Sequence, residues 1–92
     1  MSDTNEKRQI AERGRVAKAL VEDKAFLAAV DEVKVRLFTE FCETKPENTA
    51  QRERIHVAVG VVDEIVNLLN IAAANGAVED RHLQKLSRNS QL

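Results

Sequence analysis

Residues 55–76 read Ile55-His56-Val57-Ala58-Val59-Gly60-Val61-Val62-Asp63-Glu64-Ile65-Val66-Asn67-Leu68-Leu69-Asn70-Ile71-Ala72-Ala73-Ala74-Asn75-Gly76. Ile55, Ala58, Val62, Ile65, Leu69 and Ala72 recur at steps of three and four, the spacing of one helical face. A strand is the competing reading, because Ile55 to Val59, like Val33 to Leu37, alternates apolar with polar or small residues, and valine favours strands. Both runs lie inside longer 3.6-residue patterns rich in Ala, Leu and Glu, with no Gly or Pro punctuation at the would-be strand ends. The stretch is therefore read as helix. It is more apolar than pairing with one neighbour requires: Val57, Val61, Leu68 and Ile71 add one flank, and Val59, Val66 and Ala73 the other. Its polar side shrinks to a lane of His56, Gly60, Asp63, Asn67 and Asn70, and a helix apolar over most of its circumference is normally covered.

Upstream, Pro46 in Thr44-Lys45-Pro46-Glu47-Asn48 predicts a turn, since proline lacks a helix donor and restricts the residue before it. Asn48 and Gln51 have capping-box spacing for the helix that follows. Before the turn, Phe26, Val30, Val33, Leu37 and Phe41 trace another helical stripe, continued more thinly by Ile10, Ala17, Leu20 and Val21. This predicts a first helical region over about 3–43, opened by Asp3 and Glu6 in capping-box spacing. Gly14 weakens it, and Asp23 offers a second N-cap ahead of Phe26, so a bend or break is expected at 22–24. Downstream, Asn75-Gly76 has the form of a helix stop, leaving 78–88 as a short third helix around Val78, Leu83 and Leu86. The expected fold is one all-α domain over 1–92: a helical hairpin with its turn at 44–48, a second helix over 49–75 and a short third helix. It is expected to assemble into a helical bundle.

The 92 residues are 43% hydrophobic and carry one cysteine, 14 Lys plus Arg and 15 Asp plus Glu. A chain this short covers only about 60% of its unfolded surface and has no disulfide framework or zinc-type Cys/His spacing to compensate. Packing has to supply the stability, which favours self-association as a homodimer or larger through Val57, Val61, Glu64, Leu68 and Ile71. Glu64 interrupts that apolar flank and is expected to pair with Arg36 or Lys34, or with a second subunit. The longest uninterrupted apolar run, Val57 to Val62, falls far short of the ~20 residues of a membrane span, so no membrane partner is expected. The N-terminus lacks the form of a secretory or transit segment, and a lone Cys42 suits a reducing compartment, so a cytoplasmic location is expected.

Charge is uneven along the chain. Residues 1–20 hold five Lys/Arg and three Asp/Glu and residues 81–92 hold three and none, whereas residues 21–80 hold six and twelve. An antiparallel hairpin would gather Arg8, Arg13, Arg15, Arg81, Lys85 and Arg88 at its open end, opposite an acidic turn. Such an end could meet phosphates or an acidic protein patch, although no aromatic is interleaved to stack bases. Nucleic-acid binding is thus an alternative rather than the leading reading, as is inhibition of a host protein through the acidic end. His56 and Asp63 are too far apart along one lane for a metal site, no glycine-rich phosphate loop exists, and neither histidine is spaced to activate Cys42. Cys42 is read as a small core residue beside Phe38 and Phe41. No cofactor, metal or catalytic residue is assigned, and the chain is read as a non-enzyme.

Ala19-Leu20-Val21-Glu22-Asp23 followed by Phe26 and Ala29, the Thr44-Lys45-Pro46-Glu47 turn, Gln51-Arg52-Glu53-Arg54 and Asn75-Gly76 together resemble small bacteriophage-encoded helical-hairpin proteins. The resemblance covers about residues 19–77 and is a pattern of helix and turn signals. Where many such chains follow the Asp with Pro, this one has Lys24. The resemblance implies a phage accessory or virion-associated protein, in the host cytoplasm or the virion, and assigns no active residues.

Overall fold

The structure is a computed structural model that describes residues 2–90. These form three helices and no strand: α1 Ser2–Val21, α2 Lys24–Glu43 and α3 Thr49–Ser90. The chain is all-α.

Each boundary has a local chemical cause. Between α1 and α2, Asp23 adopts an extended backbone and its carboxylate accepts the Phe26 N–H at 2.8 Å, satisfying one of the free donors that open a helix. Aspartate alone makes this break, without a following proline. At the end of α2, Thr44 turns extended and donates both its N–H, at 3.1 Å, and its hydroxyl, at 2.6 Å, to the Phe41 carbonyl. Asn48 Oδ1 then accepts the Gln51 N–H at 3.2 Å and so caps α3, while the Asn48 side-chain amide donates to Gln51 Oε1 at 2.9 Å and its backbone N–H to the Lys45 carbonyl. The box expected at Asp3 and Glu6 is not a cap: α1 already begins at Ser2, which puts Asp3 inside its first turn.

The largest departure from expectation lies at the other end of α3. The helix continues through Asn75 and Gly76 to Ser90, so 78–88 is not a separate short helix. A glycine stops a helix by taking the left-handed conformation, and among the described residues no glycine does so. Gly76 is instead the point where α1 crosses.

Both shorter helices run antiparallel to α3. Gly14 of α1 meets Gly76, and Lys34 of α2 reaches Asp63. Nearest the turn, the Arg52 guanidinium covers the Phe41 ring at 4.7 Å. Twenty residues of α1 and twenty of α2 each span about 30 Å, together the ~63 Å of the 42-residue α3. The result measures 69 × 25 × 13 Å, with a radius of gyration of 19.6 Å against about 12 Å for a compact chain of this length. It is one helix thick.

The two halves pack differently. Where α1 meets α3, the buried positions are small: Ala11, Gly14 and Ala17 on α1 face Gly76 and the Ala72 carbonyl on α3. With no side chain between them the backbones touch, and a Cβ built on Gly14 would lie 2.5 Å from the Gly76 Cα. This corrects the α1 stripe in part: Ala17 is buried and Val21 half-buried as that stripe requires, whereas Ile10 and Leu20 lie exposed at its edges and Ala11 and Gly14 take the covered positions. Along α2 the stripe Phe26, Val30, Leu37 and Phe41 does face α3, but a single neighbour covers it only in part, and no α2 residue is buried.

Candidate functional site

Two apolar seams run along α3 on opposite sides. One, Ile55-Val59-Val62-Val66-Leu69-Ala73-Gly76, steps by four and three and lies toward α1 and α2; its members are buried or half-buried. The second begins two residues later, at Val57, with the same steps: Val61, Glu64, Leu68, Ile71, Asn75, Val78. A two-residue offset on a helix of 3.6 residues per turn is a rotation of about 200°, which carries this seam to the far side. Among the described residues nothing covers it. Val57, Val61, Leu68 and Ile71 remain 54, 53, 55 and 47% exposed, and Ile65 and Val78 beside them are exposed as well.

The magnitude of this exposure separates it from ordinary surface leucines. The chain presents 7235 Å² to solvent, roughly 1,900 Å² more than the about 5,400 Å² of a compact monomer of 10.3 kDa. A standard protein interface covers about 800 Å² on each partner. The surplus belongs to a molecule that lacks the second layer from which domains are normally built.

The structure places Glu64 on this seam, exposed, and pairs it with neither candidate cation. Lys34 Nζ instead donates to Asp63 Oδ1 at 2.9 Å, and Arg36 donates to Glu32 within α2 at 2.7 Å. The hydrogen bond to Asp63, followed by attraction to its charge, raises the Lys34 pKa above the ordinary lysine value. Because the folded-state value is the higher one, the contribution of this pair is fully present below the unfolded lysine pKa and is lost only in strongly alkaline solution. Cys42 is also exposed, beside a largely exposed Phe38, which corrects its reading as a core residue.

By length and composition α3 is apolar enough to cross a membrane, contrary to expectation, and none of that apolar window is buried inside the molecule. Between Arg54 and Glu79 the only Asp, Glu, Lys or Arg residues are Asp63 and Glu64, and they fall near the middle of that stretch. Each costs about 2.5–3.5 kcal/mol at the centre of a bilayer. Asp63 is also tied to Lys34, and the lane of Asn67 and Asn70 is polar.

At the open end, the basic residues are not a uniform set. Arg15 donates to Glu12 at 2.7 Å and to Asp80 at 3.0 Å, so its charge is matched and it pins α1 to α3. The Glu12 hydrogen bond is the main cause of its raised pKa. Lys7, His82 and Lys85 line one shallow surface depression, and Arg8 another with Thr4, Leu83 and Leu86. Glu79 lies 3.4 Å from His82 Nδ1. Arg13, Arg81 and Arg88 are exposed.

The best-organised polar cluster was not singled out from sequence. The buried Thr44 hydroxyl, besides donating to the Phe41 carbonyl, accepts Arg52 Nε at 2.9 Å, while Arg52 stacks on Phe41. The signal lies in the eight-residue separation across Pro46, which only the turn converts into contact. Replacing Thr44 by valine keeps the shape and removes both hydrogen bonds. The expected loss is about 1 kcal/mol of unfolding free energy in urea, with faster amide exchange at the turn. Beside this cluster an open groove of about 520 Å³ is lined by Val35, Phe38, Phe41, Ile55, His56 and Val59. Among the described residues, no group of three His, Cys, Asp or Glu comes together as a metal site would require.

Comparison of the chain with protein-family models, with curated proteins and with solved structures gives no match.

Proposed function

We propose that this chain is a non-enzymatic helical assembly module whose working form is a homo-oligomer, each copy covering the apolar far side of α3 of another. The observation that carries this is the roughly 1,900 Å² of surplus surface, relative to the about 5,400 Å² of a compact monomer, together with four exposed apolar side chains in line along one side of α3. Burying Val57, Val61, Leu68 and Ile71 would add about 1.5–3 kcal/mol per fully covered side chain. For a single layer with so small a core, that gain is comparable to the whole stability of the fold. The polar lane of Asp63, Asn67 and Asn70 and the ends of the rod stay free for a further protein partner. A phage accessory or virion role, implied by the resemblance drawn above, would use such a module as a small structural joint.

Sedimentation velocity across the micromolar range tests the proposal. A mass of two or more chains, falling to one on dilution, is the expected result. A strict monomer at high micromolar concentration overturns it.

A further inference from the structure

We infer that the second copy pairs α3 with α3 antiparallel, in one register: Leu68 of each copy against Ile71 of the other, Val61 against Val78, and Glu64 against Asn75. This rests on the self-association proposed above and specifies its geometry.

The far seam continues its steps of four and three from Val57 to His82. That is the 3.5-residue repeat of paired helices, and in an antiparallel pair the two alternating seam positions face each other. Two polar residues, Glu64 and Asn75, interrupt the seam and act as markers of register. A parallel pair in register would stack Glu64 on Glu64, two like charges in an apolar strip. Sliding an antiparallel pair by seven residues one way sets Glu64 against Leu68 and Asn75 against Val57. Sliding it the other way sets Glu64 against His82 but Asn75 against Ile71. Both slides bury a marker well inside the seam against an apolar residue, at a cost. In the proposed register the two markers meet each other, so the Asn75 amide can donate to the Glu64 carboxylate, twice by symmetry, and the polar-on-apolar contact that remains, His82 on Val57, lies at the outer end of the seam.

One step beyond each end of the seam the register sets Arg54 of one copy against Lys85 of the other, a like-charge contact made twice, which Glu53 near Arg88 of the second copy offsets. The same surface is used on both copies, which closes the assembly as a twofold dimer. The area required is available: a standard interface takes about 800 Å² per partner, less than half of the surplus that each chain exposes.

The test uses the full chain in a Cys42→Ser background. Val61→Cys and Val78→Cys chains are mixed, allowed to exchange and then oxidised. A disulfide-linked dimer is expected in the mixture, where the Cβ atoms can approach the ~3.5–4.5 Å that the bond requires. Neither chain alone should cross-link, since Val61 of the two copies would lie 17 residues, about 25 Å, apart along the pair. Cross-linking of Val61→Cys with itself would show a parallel pair and overturn the inference. A dimer by sedimentation with no cross-link in the mixture overturns the register and leaves self-association standing, whereas a strict monomer removes both. As a second arm, Asn75→Glu should raise the dimer dissociation constant by about tenfold or more, and Glu64→Lys combined with it should restore affinity. No weakening by Asn75→Glu counts against the register. Co-sedimentation with phosphatidylcholine vesicles is expected to leave the protein in the supernatant as dimer; uptake as monomer would assign the seam to lipid instead.

Discussion

Alanine at Gly14 or Gly76 is expected to destabilise the chain by about 2 kcal/mol or more, and valine at either position to release α1 from α3 altogether. A Cβ on Gly14 would lie 2.5 Å from the Gly76 Cα and 2.8 Å from the Ala72 carbonyl oxygen; one on Gly76 would lie 2.5 Å from the Gly14 Cα and 3.0 Å from the Ile10 carbonyl oxygen. These are backbone atoms, so no side-chain rotation relieves the overlap, and the helices must separate. Separation uncovers Ala11 and Ala17 and stretches the Arg15–Asp80 pair. Against this stands the gain of about 1 kcal/mol that alanine normally brings to a helix interior, which is too small to compensate. Gly60 is the internal control. Nothing lies within 4 Å of a Cβ placed there, so Gly60→Ala should stabilise by about 0.5–1 kcal/mol. Thermal melts of the three alanine variants should therefore move in opposite directions, by about 4–8 °C per kcal/mol for a chain of this size. A Gly14→Ala protein that melts at or above the parent would refute the crossing.

The second large effect concerns assembly. A chain carrying both Val61→Glu and Leu68→Glu should be monomeric at concentrations where the parent associates. It should keep its helical circular dichroism, because both residues point away from the seam that holds α1 and α2. Each dimer would lose four half-exposed apolar side chains and gain four carboxylates facing an apolar strip. A loss of about 3 kcal/mol or more, over a hundredfold in dissociation constant, is the expected scale. Asn70→Glu, on the polar lane, should leave the mass unchanged. Dissociation by that control, or persistence of the oligomer in the double variant, would move the interface off the far side of α3.

Much of the secondary structure was legible because its signals are local. The Asp23 break, the Pro46 turn and the Asn48–Gln51 cap each depend on a side chain bonding backbone within a few residues. The α2 stripe was legible for the same reason. The face of α1 was legible only in part: Ala17 is buried and Val21 half-buried as that stripe requires, but the larger Ile10 and Leu20 drew the pattern away from Ala11 and Gly14. Hydrophobicity ranks side chains by size, whereas a close helix crossing selects those that are absent. Glu64 was expected to meet Arg36, Lys34 or a second subunit, and within the chain Lys34 and Arg36 pair with Asp63 and Glu32 instead. Lys34 lies on the side of α2 that meets the polar lane, and so finds Asp63.

The order of residues settles that this chain is helical, where it breaks and turns, and that one helix carries more apolar circumference than a single neighbour can cover. Those properties follow from periodicity and from hydrogen bonds spanning three or four residues. Packing in three dimensions decides what the glycines do and which apolar side is left open. Gly76 ends no helix, because Gly14, sixty-two positions earlier in the chain, stands opposite it at backbone contact and the two can meet only as α-helix. Once α1 and α2 occupy one side of α3, geometry leaves the other side bare, and it is this face that the proposed second copy would cover.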